Sequence, residues 1–196
     1  MNGWSSKRNR WKMIKNTGHE QVTKCKTING GHQTQGVVKI NIDAAIPTKS
    51  AGAGLGMIAR DSYGNIVQAR GIRKYSRSGA ELEEADALRQ GLLMAREAGW
   101  RRIEMQTDCK AAIETIYKIG LVETPIGTIM DDIRLLSDMF QDCTFSFVYR
   151  DGNRCAHKMA QFVTKLVSKV IWKQSFPLWL KESIQEDNRT NVLLCN

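Results

Sequence analysis

The sequence has no long apolar run, and this absence excludes a membrane-spanning helix. Nowhere in the 196 residues does a stretch approach the roughly 18–20 consecutive apolar residues that a bilayer span needs. A signal peptide is also missing, because Lys7, Arg8 and Arg10 interrupt the apolar core that such a peptide requires. We therefore expect a protein that is neither secreted nor embedded in a membrane, and that acts inside the cell, in the nucleus or the cytoplasm.

Cysteine and histidine are too few and too scattered for a disulfide framework or a zinc module. The five cysteines are odd in number and include no Cys-x-x-Cys pair. The three histidines never pair with a cysteine at the spacing of zinc ligands. Free thiols in a reducing compartment are the simpler account, so we expect no disulfide-linked partner. The sequence predicts no oligomeric state.

Positive charge is concentrated near the N-terminus. The chain carries 29 Lys and Arg against 20 Asp and Glu, a net charge of +9. Residues 1–36 contain seven of the basic side chains and one acidic side chain, Glu20. A basic arm fits a polyanionic partner, because each cation placed on a phosphate releases counterions, but it equally fits a solvated tail. Since these residues lack sustained periodicity, we expect a basic, disordered linker over 1–36.

From residue 37 onward the pattern is that of an α/β domain. Alternating residues predict a strand that ends at Asp43, and two more strands, 54–60 and 66–72, complete an antiparallel meander. Helices and strands then alternate, and their crossovers imply parallel neighbours in a mixed sheet. We predict one domain over residues 37–170 and a C-terminal tail, 171–196, that packs on the domain and frays at its end.

The last helix of the domain is expected to begin at Asn153, a residue type that favours the N-cap. Its apolar side is predicted to run through five small or branched residues, so that the helix reaches the end of the domain. These residues are Ala156, Ala160, Val163, Val167 and Val170.

Three acidic residues occupy positions that can converge. Asp43 ends the first strand and Asp108 ends the fourth, so parallel pairing would place their carboxylates roughly 5 Å apart at the carboxyl edge of the sheet. Open α/β sheets bind ligands at that edge. Glu84 lies in the first turns of the intervening helix and can point there too. Three carboxylates repel each other unless divalent metal ions bind. The alternative is that Asp43 and Asp108 only cap loops and helices.

Five segments, taken in order, resemble a ribonuclease H domain. The resemblance covers about residues 37–170 and is to the plant, reverse-transcriptase-associated branch, whose members are often remnants of non-LTR retroelements. It implies a five-stranded mixed sheet, an antiparallel meander followed by parallel strands, flanked by helices. The segments are Lys39 to Ala45, Gly54 to Asp61 with Gly64, Glu84 to Leu88 with Gly91 and Leu92, Thr107 to Cys109, and Asn153 to Ala160.

The resemblance also implies a metal-dependent endoribonuclease that hydrolyses the RNA strand of RNA–DNA hybrids. Asp43, Glu84 and Asp108 correspond to the first three metal-binding carboxylates of the family. Of two bound Mg²⁺ ions, one would activate a water and the other would stabilise the leaving 3′-oxygen. The hybrid would be bound across its minor groove, where the 2′-hydroxyls are displayed. We expect contacts to the nucleic acid from Ala44, Ala45, Arg150 and Asn153.

The fourth metal-ligand position departs from the family pattern. The family usually has an Asp four residues after an Asn, whereas here His157 follows Asn153. An imidazole can bind a metal, but Mg²⁺ prefers oxygen and Mn²⁺ tolerates nitrogen better. We therefore expect His157 to be a catalytic metal ligand that gives reduced activity with Mg²⁺ and partial rescue with Mn²⁺. Two alternatives are a solvent-facing His157 and an oxygen supplied by Asp151.

A second departure concerns a histidine that many cellular ribonucleases H carry just before this Asn. No His occurs between Phe145 and Gly152, although Arg150 stands nearby and either assists the leaving phosphate or is a loop cation. These departures leave a second function open. The alternative is a weakened or inactive ribonuclease H-like module that binds nucleic acid or a protein partner.

Overall fold

The described part of the chain contains eight strands and five helices. A computed structural model describes residues 11–16, 19–24, 36–48, 52–75, 78–118 and 124–193, with the backbone alone for 11–16, 19–24 and 188–193. The strands are β1 (Trp11–Asn16), β2 (His19–Lys24), β3 (Val38–Ala45), β4 (Ala53–Arg60), β5 (Ile66–Lys74), β6 (Arg102–Thr107), β7 (Asp142–Phe147) and β8 (Val170–Trp172). The helices are α1 (Ala80–Glu97), α2 (Lys110–Tyr117), α3 (Pro125–Ser137), α4 (Arg154–Val163) and α5 (Leu178–Leu193), and a 3₁₀ turn, Arg150–Gly152, precedes α4.

All of these strands form one mixed sheet in the order β1-β2-β7-β6-β3-β4-β5-β8. The pairs β3–β6 and β6–β7 are parallel, and the other neighbours are antiparallel. The predicted α/β class, with an antiparallel meander and a mixed sheet flanked by helices, is confirmed. The predicted count of five strands is wrong, because β8 adds a sixth strand to residues 38–172 and β1 and β2 extend the opposite edge.

The extra strands lie at the sheet edges. Strand β2 pairs antiparallel with β7, with Val22 opposite Phe145, and β1 pairs with β2. An edge strand presents unpaired N–H and C=O groups, so a segment can join it without the sustained alternation that marks a central strand. The structure therefore differs from the predicted disordered linker at residues 11–16 and 19–24, which form β1 and β2. The remainder of 1–35 lies outside the described residues.

The last predicted helix is shorter than its apolar pattern indicates. Helix α4 ends at Val163, and Val167, expected on its buried side, is 83% exposed. Val170 instead opens β8, where it pairs with Gly71 of β5. Branched and aromatic residues favour a strand where an open edge is available, and the three residues of β8 are of this kind.

Helices cover both faces of the sheet and bury two apolar clusters. Helices α1, α2 and α3 lie on one face, and α4 and α5 lie on the other. The first cluster includes Ile40, Ile42, Leu88, Met105 and Phe145. The second includes Ile58, Ala69, Met159, Leu180 and Ile184, of which the last two belong to α5. Within the described ranges no helix is long and apolar enough to cross a membrane.

Glycine in β4 allows α4 to approach the sheet closely. A Cβ atom built at Gly56 would lie 2.4 Å from the carbonyl oxygen of Ala156 and 2.5 Å from the backbone nitrogen of Ala160. Gly56 pairs with Asp43 across β3 and β4. The absence of a side chain at this position therefore brings the backbone of α4 directly beside Asp43.

Candidate active site

Two aspartates come together at the carboxyl ends of the parallel pair β3 and β6. Asn41 of β3 is opposite Gln106 of β6, so Asp43 and Asp108 follow at neighbouring positions two residues later. Side chains alternate along β3, which places Ile42 in the cluster under α1 and turns Asp43 towards α4. The Asp43 side chain is 0% exposed. The predicted adjacency of the two carboxyl groups is what the structure shows.

Glu84 reaches the same edge from α1. Its Oε1 atom accepts a hydrogen bond from the backbone N–H of Ala44 at 3.2 Å. Its other oxygen, Oε2, is buried with no hydrogen-bond partner among the described residues. The preceding residue, Glu83, turns away and pairs with Lys74 at 2.7 Å. Only Glu84 of this acidic pair therefore faces the two aspartates.

His157 approaches Asp43 from the first turn of α4. Its Nδ1 atom lies 2.9 Å from Asp43 Oδ2, and its Nε2 atom lies 2.9 Å from Gln161 Nε2. The imidazole is 27% exposed, so it is a partly buried neighbour of Asp43 and not a solvent-facing side chain. Sequence reasoning did not identify Gln161, although its place one helical turn after His157 puts both on one face of the helix.

Arg150 inserts its guanidinium among these groups. Nη1 lies 2.6 Å from Asp108 Oδ2 and 3.4 Å from Asp43 Oδ1. Nη2 lies 2.8 Å from His157 Nδ1. The guanidinium is therefore the positive charge that faces the acidic groups of the described site, and not a remote loop cation.

Asn153 ties the end of β3 to Asp108. Its Nδ2 donates to the backbone oxygen of Ile42 and to Asp108 Oδ1, both at 2.9 Å. Its Oδ1 accepts from Asn41 Nδ2 at 3.2 Å. Asn153 stands at the N-cap position of α4, as predicted, but in the described part of the chain its side chain makes no cap hydrogen bond. The side chain is used by the site instead.

The N-terminus of α4 receives its cap from the C-terminal helix. Oδ2 of Asp187 in α5 accepts from the backbone N–H of Cys155 at 3.2 Å and from Arg60 Nη2 at 2.8 Å. A carboxylate at a helix N-terminus satisfies an N–H group that has no partner within the helix. No sequence signal near Asn153 indicates this contact, because Asp187 is 32 residues further along the chain than Cys155.

Three other predicted residues, Asp151, Ala44 and Ala45, have partners within the protein. Asp151 pairs with Arg154, so it does not supply the missing oxygen in this structure. The backbone N–H of Ala44 is used by Glu84, and Ala45 pairs with Gly54 at the end of β3. Contacts of Ala44 and Ala45 with nucleic acid remain predictions.

Burial and mutual repulsion shift the pKa values of the acidic groups upward. Burial, followed by the charges of Glu84 and Asp108, raises the pKa of Asp43 to about 9. Burial, with a further contribution from Asp108, raises the pKa of Glu84 to about 7. Burial and then Arg150 lower the pKa of His157, which keeps its imidazole neutral at pH 7. Full ionisation of the carboxyl groups therefore needs added positive charge.

The donor set fits a hard divalent cation. Oxygen atoms of Asp43, Glu84 and Asp108 are the ligands that Mg²⁺ and Mn²⁺ accept, and the unpartnered Glu84 Oε2 is a buried acceptor that an ion would satisfy. As they stand, however, no three acidic, histidine or cysteine side chains of the described residues form a group that could hold a metal ion. Arg150 lies between two of the carboxylates, so an ion would have to take its place.

Sequence comparison assigns the chain to a known family. A family described as reverse transcriptase-like matches residues 41–163, which contain every residue of the site from Asn41 to Gln161. The chain belongs to the reverse transcriptase-like family. The matched residues of this reverse transcriptase-like domain run from within β3 to the end of α4. A search of curated proteins finds no match.

Solved structures show that the reverse transcriptase-like domain has a ribonuclease H-like fold. RNase H1 from the halophilic archaeon Halobacterium salinarum is 24% identical, with a TM-score of 0.60 over 66% of this chain and 97% of that one. The N-terminal RNase H domain of a Mycobacterium tuberculosis protein is 19% identical, with a TM-score of 0.58 over 65% and 93%. LC11-RNase H1, solved in complex with an RNA/DNA hybrid, is 16% identical, with a TM-score of 0.55 over 64% and 94%.

Proposed function

We propose that this reverse transcriptase-like chain is a metal-dependent endoribonuclease that hydrolyses the RNA strand of RNA–DNA hybrids. The observation that carries the proposal is the convergence of Asp43, Glu84 and Asp108 at the carboxyl edge of a ribonuclease H-like sheet. A structural neighbour solved with an RNA/DNA hybrid supports this choice of substrate. The intracellular location and the retroelement origin expected from the sequence remain predictions.

The predicted residues of the site take different roles in this proposal. Asp43, Glu84, Asp108 and His157 would hold the divalent ions. When bound, those ions supply Lewis-acid chemistry that activates a water and stabilises the leaving 3′-oxygen. Asn153 orients the Asp108 carboxylate through its hydrogen bond to Oδ1. We include Ala44, Ala45, Arg150 and Asn153 as contacts to the hybrid, because they border the carboxylates that would face the scissile phosphate.

The choice of metal follows from His157. Its Nδ1 atom faces Asp43 where the family pattern has a carboxylate, so the site offers one oxygen ligand and one negative charge fewer. Because Mn²⁺ accepts nitrogen more readily than Mg²⁺, we expect faster cleavage with Mn²⁺. Equal rates with the two ions would contradict this role for His157.

The deciding experiment is cleavage of a labelled RNA–DNA hybrid by the full chain with Mg²⁺ or Mn²⁺. We expect cleavage by the wild type, none by Asp108→Asn, and wild-type rates for Asp131→Asn. Asp131 is a suitable control because it is an exposed aspartate of α3 that pairs with Arg134. No cleavage of the hybrid with either ion, by protein shown to be folded, would overturn the proposal in favour of a module that only binds.

A further inference from the structure

Arg150 occupies the position where the site needs positive charge. The 3₁₀ turn before α4 carries it, and its guanidinium lies within ion-pair distance of Asp108 and Asp43 at once. These contacts use Asp108 Oδ2 and Asp43 Oδ1, two of the oxygen atoms that a divalent ion would bind. A divalent ion binds carboxylate oxygens at about 2–2.6 Å, and Nη1 already lies 2.6 Å from Asp108 Oδ2, so an ion bound between these two oxygens would displace the guanidinium.

The environment of Arg150 suits an exchangeable cation. Its side chain is 57% exposed, so it can leave the carboxylates without opening the core. Arg60 is the opposite case: its side chain is 6% exposed in its ion pair with Asp187, between β4 and α5. Water can solvate the guanidinium of Arg150 once it moves, whereas the guanidinium of Arg60 would remain buried.

We propose that Arg150 is a resident counter-ion that competes with divalent metal for Asp43 and Asp108. This inference rests on the metal dependence of the proposed function. In the metal-free protein the guanidinium pairs with Asp108 and lies beside Asp43, and these contacts stabilise the site. Metal binding displaces the guanidinium. Because linkage is reciprocal, Arg150 lowers the affinity for metal, and bound metal weakens the contacts of Arg150 by the same factor. The displaced guanidinium remains on the adjacent turn, beside the carboxylates.

The test is the affinity of the full chain for Mn²⁺ alone, measured by the electron paramagnetic resonance signal of free Mn²⁺. We expect Arg150→Met to bind Mn²⁺ about tenfold or more tightly than the wild type, the factor that one charge-assisted hydrogen bond contributes. Metal-free Arg150→Met should melt at a lower temperature than the wild type, and saturating Mn²⁺ should restore its melting temperature. Arg154→Met is the matched control, since Arg154 pairs with exposed Asp151.

The possible outcomes are distinct. Equal or weaker Mn²⁺ binding by Arg150→Met overturns the competition while leaving the metal site and the proposed function standing. If neither protein binds Mn²⁺, both the competition and the metal-dependent function fail. Tighter binding that disappears when Asp108→Asn is added to Arg150→Met supports the competition at this site. The same gain with Arg154→Met would show a general effect of charge and would overturn the proposal.

Discussion

At the residue scale, Asp43 shows how one position couples the fold to chemistry. Its place on β3 removes the carboxyl from water, and Glu84 and Asp108 add negative charge nearby. A carboxyl with a pKa of about 9 is protonated at neutral pH, while the same group in the unfolded chain is ionised. Its protonation therefore links the stability of the metal-free protein to pH.

We predict that the metal-free protein loses stability as pH rises from about 6.5, above which His157 no longer gives an opposing contribution, to about 8.5. Between the ordinary Asp pKa of 3.8 and about 9, the folded state holds a proton that the unfolded state has released. The free energy of unfolding then falls with pH, by at most about 1.4 kcal/mol per pH unit for one group. Glu84 adds to the slope up to about pH 7. Melting curves in a chelator measure this slope.

Asp43→Asn is the variant that isolates the contribution of Asp43. An amide does not titrate, so the decline in melting temperature between about pH 7 and about pH 8.5 should flatten in this variant. Asp131→Asn, which alters an exposed carboxyl of α3, should keep the wild-type slope. A decline as steep in Asp43→Asn as in the wild type would contradict the assignment to Asp43.

At the element scale, the packing of β4 against α4 sets the position of His157. We predict that Gly56→Ala destabilises the protein by about 1–3 kcal/mol, the usual cost of overpacking. The added methyl meets backbone atoms of Ala156 and Ala160, which cannot rotate away as a side chain can. Helix α4 must shift, so hybrid cleavage should fall as well. Urea unfolding and cleavage rates measure the two effects.

Gly79→Ala is the steric control for that variant. A Cβ atom built at Gly79 meets no described atom within 4 Å. Gly79 is the N-cap residue of α1, where exchange for Ala costs less than about 1 kcal/mol. Equal losses for Gly56→Ala and Gly79→Ala would show that close approach of α4 to β4 is not the cause.

The junction of α5 with the domain depends on Asp187. Burial raises the pKa of Asp187, and the attraction of Arg60 offsets only part of this effect. Packing of α5 on the domain, and not charge attraction alone, therefore holds the two side chains together. We predict that Asp187→Asn destabilises the protein by about 2 kcal/mol, because the neutral amide weakens the charge-assisted hydrogen bond from Arg60 and the cap on the Cys155 N–H. Glu186→Gln changes the neighbouring carboxylate, which pairs with Lys158 at the surface, and should cost less than about 1 kcal/mol. Thermal unfolding distinguishes the two, and equal shifts would contradict the buried pair.

At the scale of the whole molecule, six of the nine net positive charges lie in residues 1–36. We predict that neutralising Lys7, Arg8 and Arg10 to Gln weakens hybrid binding. It should also reduce the dependence of the binding constant on salt, by up to about 0.9 in logarithmic slope for each phosphate that is no longer neutralised. Binding measured across a salt series in a chelator, which prevents cleavage, gives this slope.

The control for the basic arm removes the same charge elsewhere. Lys165, Lys169 and Lys173 are exposed and flank β8 at the opposite edge of the sheet from β1. Exchange of all three to Gln should change the salt dependence of the binding constant less than the exchange of Lys7, Arg8 and Arg10. Equal changes would mean that net charge, and not the N-terminal arm, determines the salt dependence.

Local periodicity in the sequence determined the central elements of the domain and much of the site. Alternation around Ile40 and Ile42 predicted β3, and helical spacing around Leu88 predicted α1, since both patterns follow from backbone geometry alone. The meeting of Asp43 and Asp108 was also predictable, because carboxyl ends of parallel strands share one edge. The central strands and helices of the domain and the adjacency of the two aspartates can therefore be predicted from the order of residues.

Only the tertiary structure decided which of several partners each remaining polar group takes. Asn153 binds the end of β3 and Asp108 instead of capping α4, and Asp187 supplies the cap from α5. Arg150 lies among the carboxylates. Residues of β8, of which Val170 was predicted to belong to the last helix, pair with the edge of β5. These interactions join positions far apart in the chain. Each depends on which groups packing leaves buried and unpaired, a condition that exists only once the sheet and its helices are assembled.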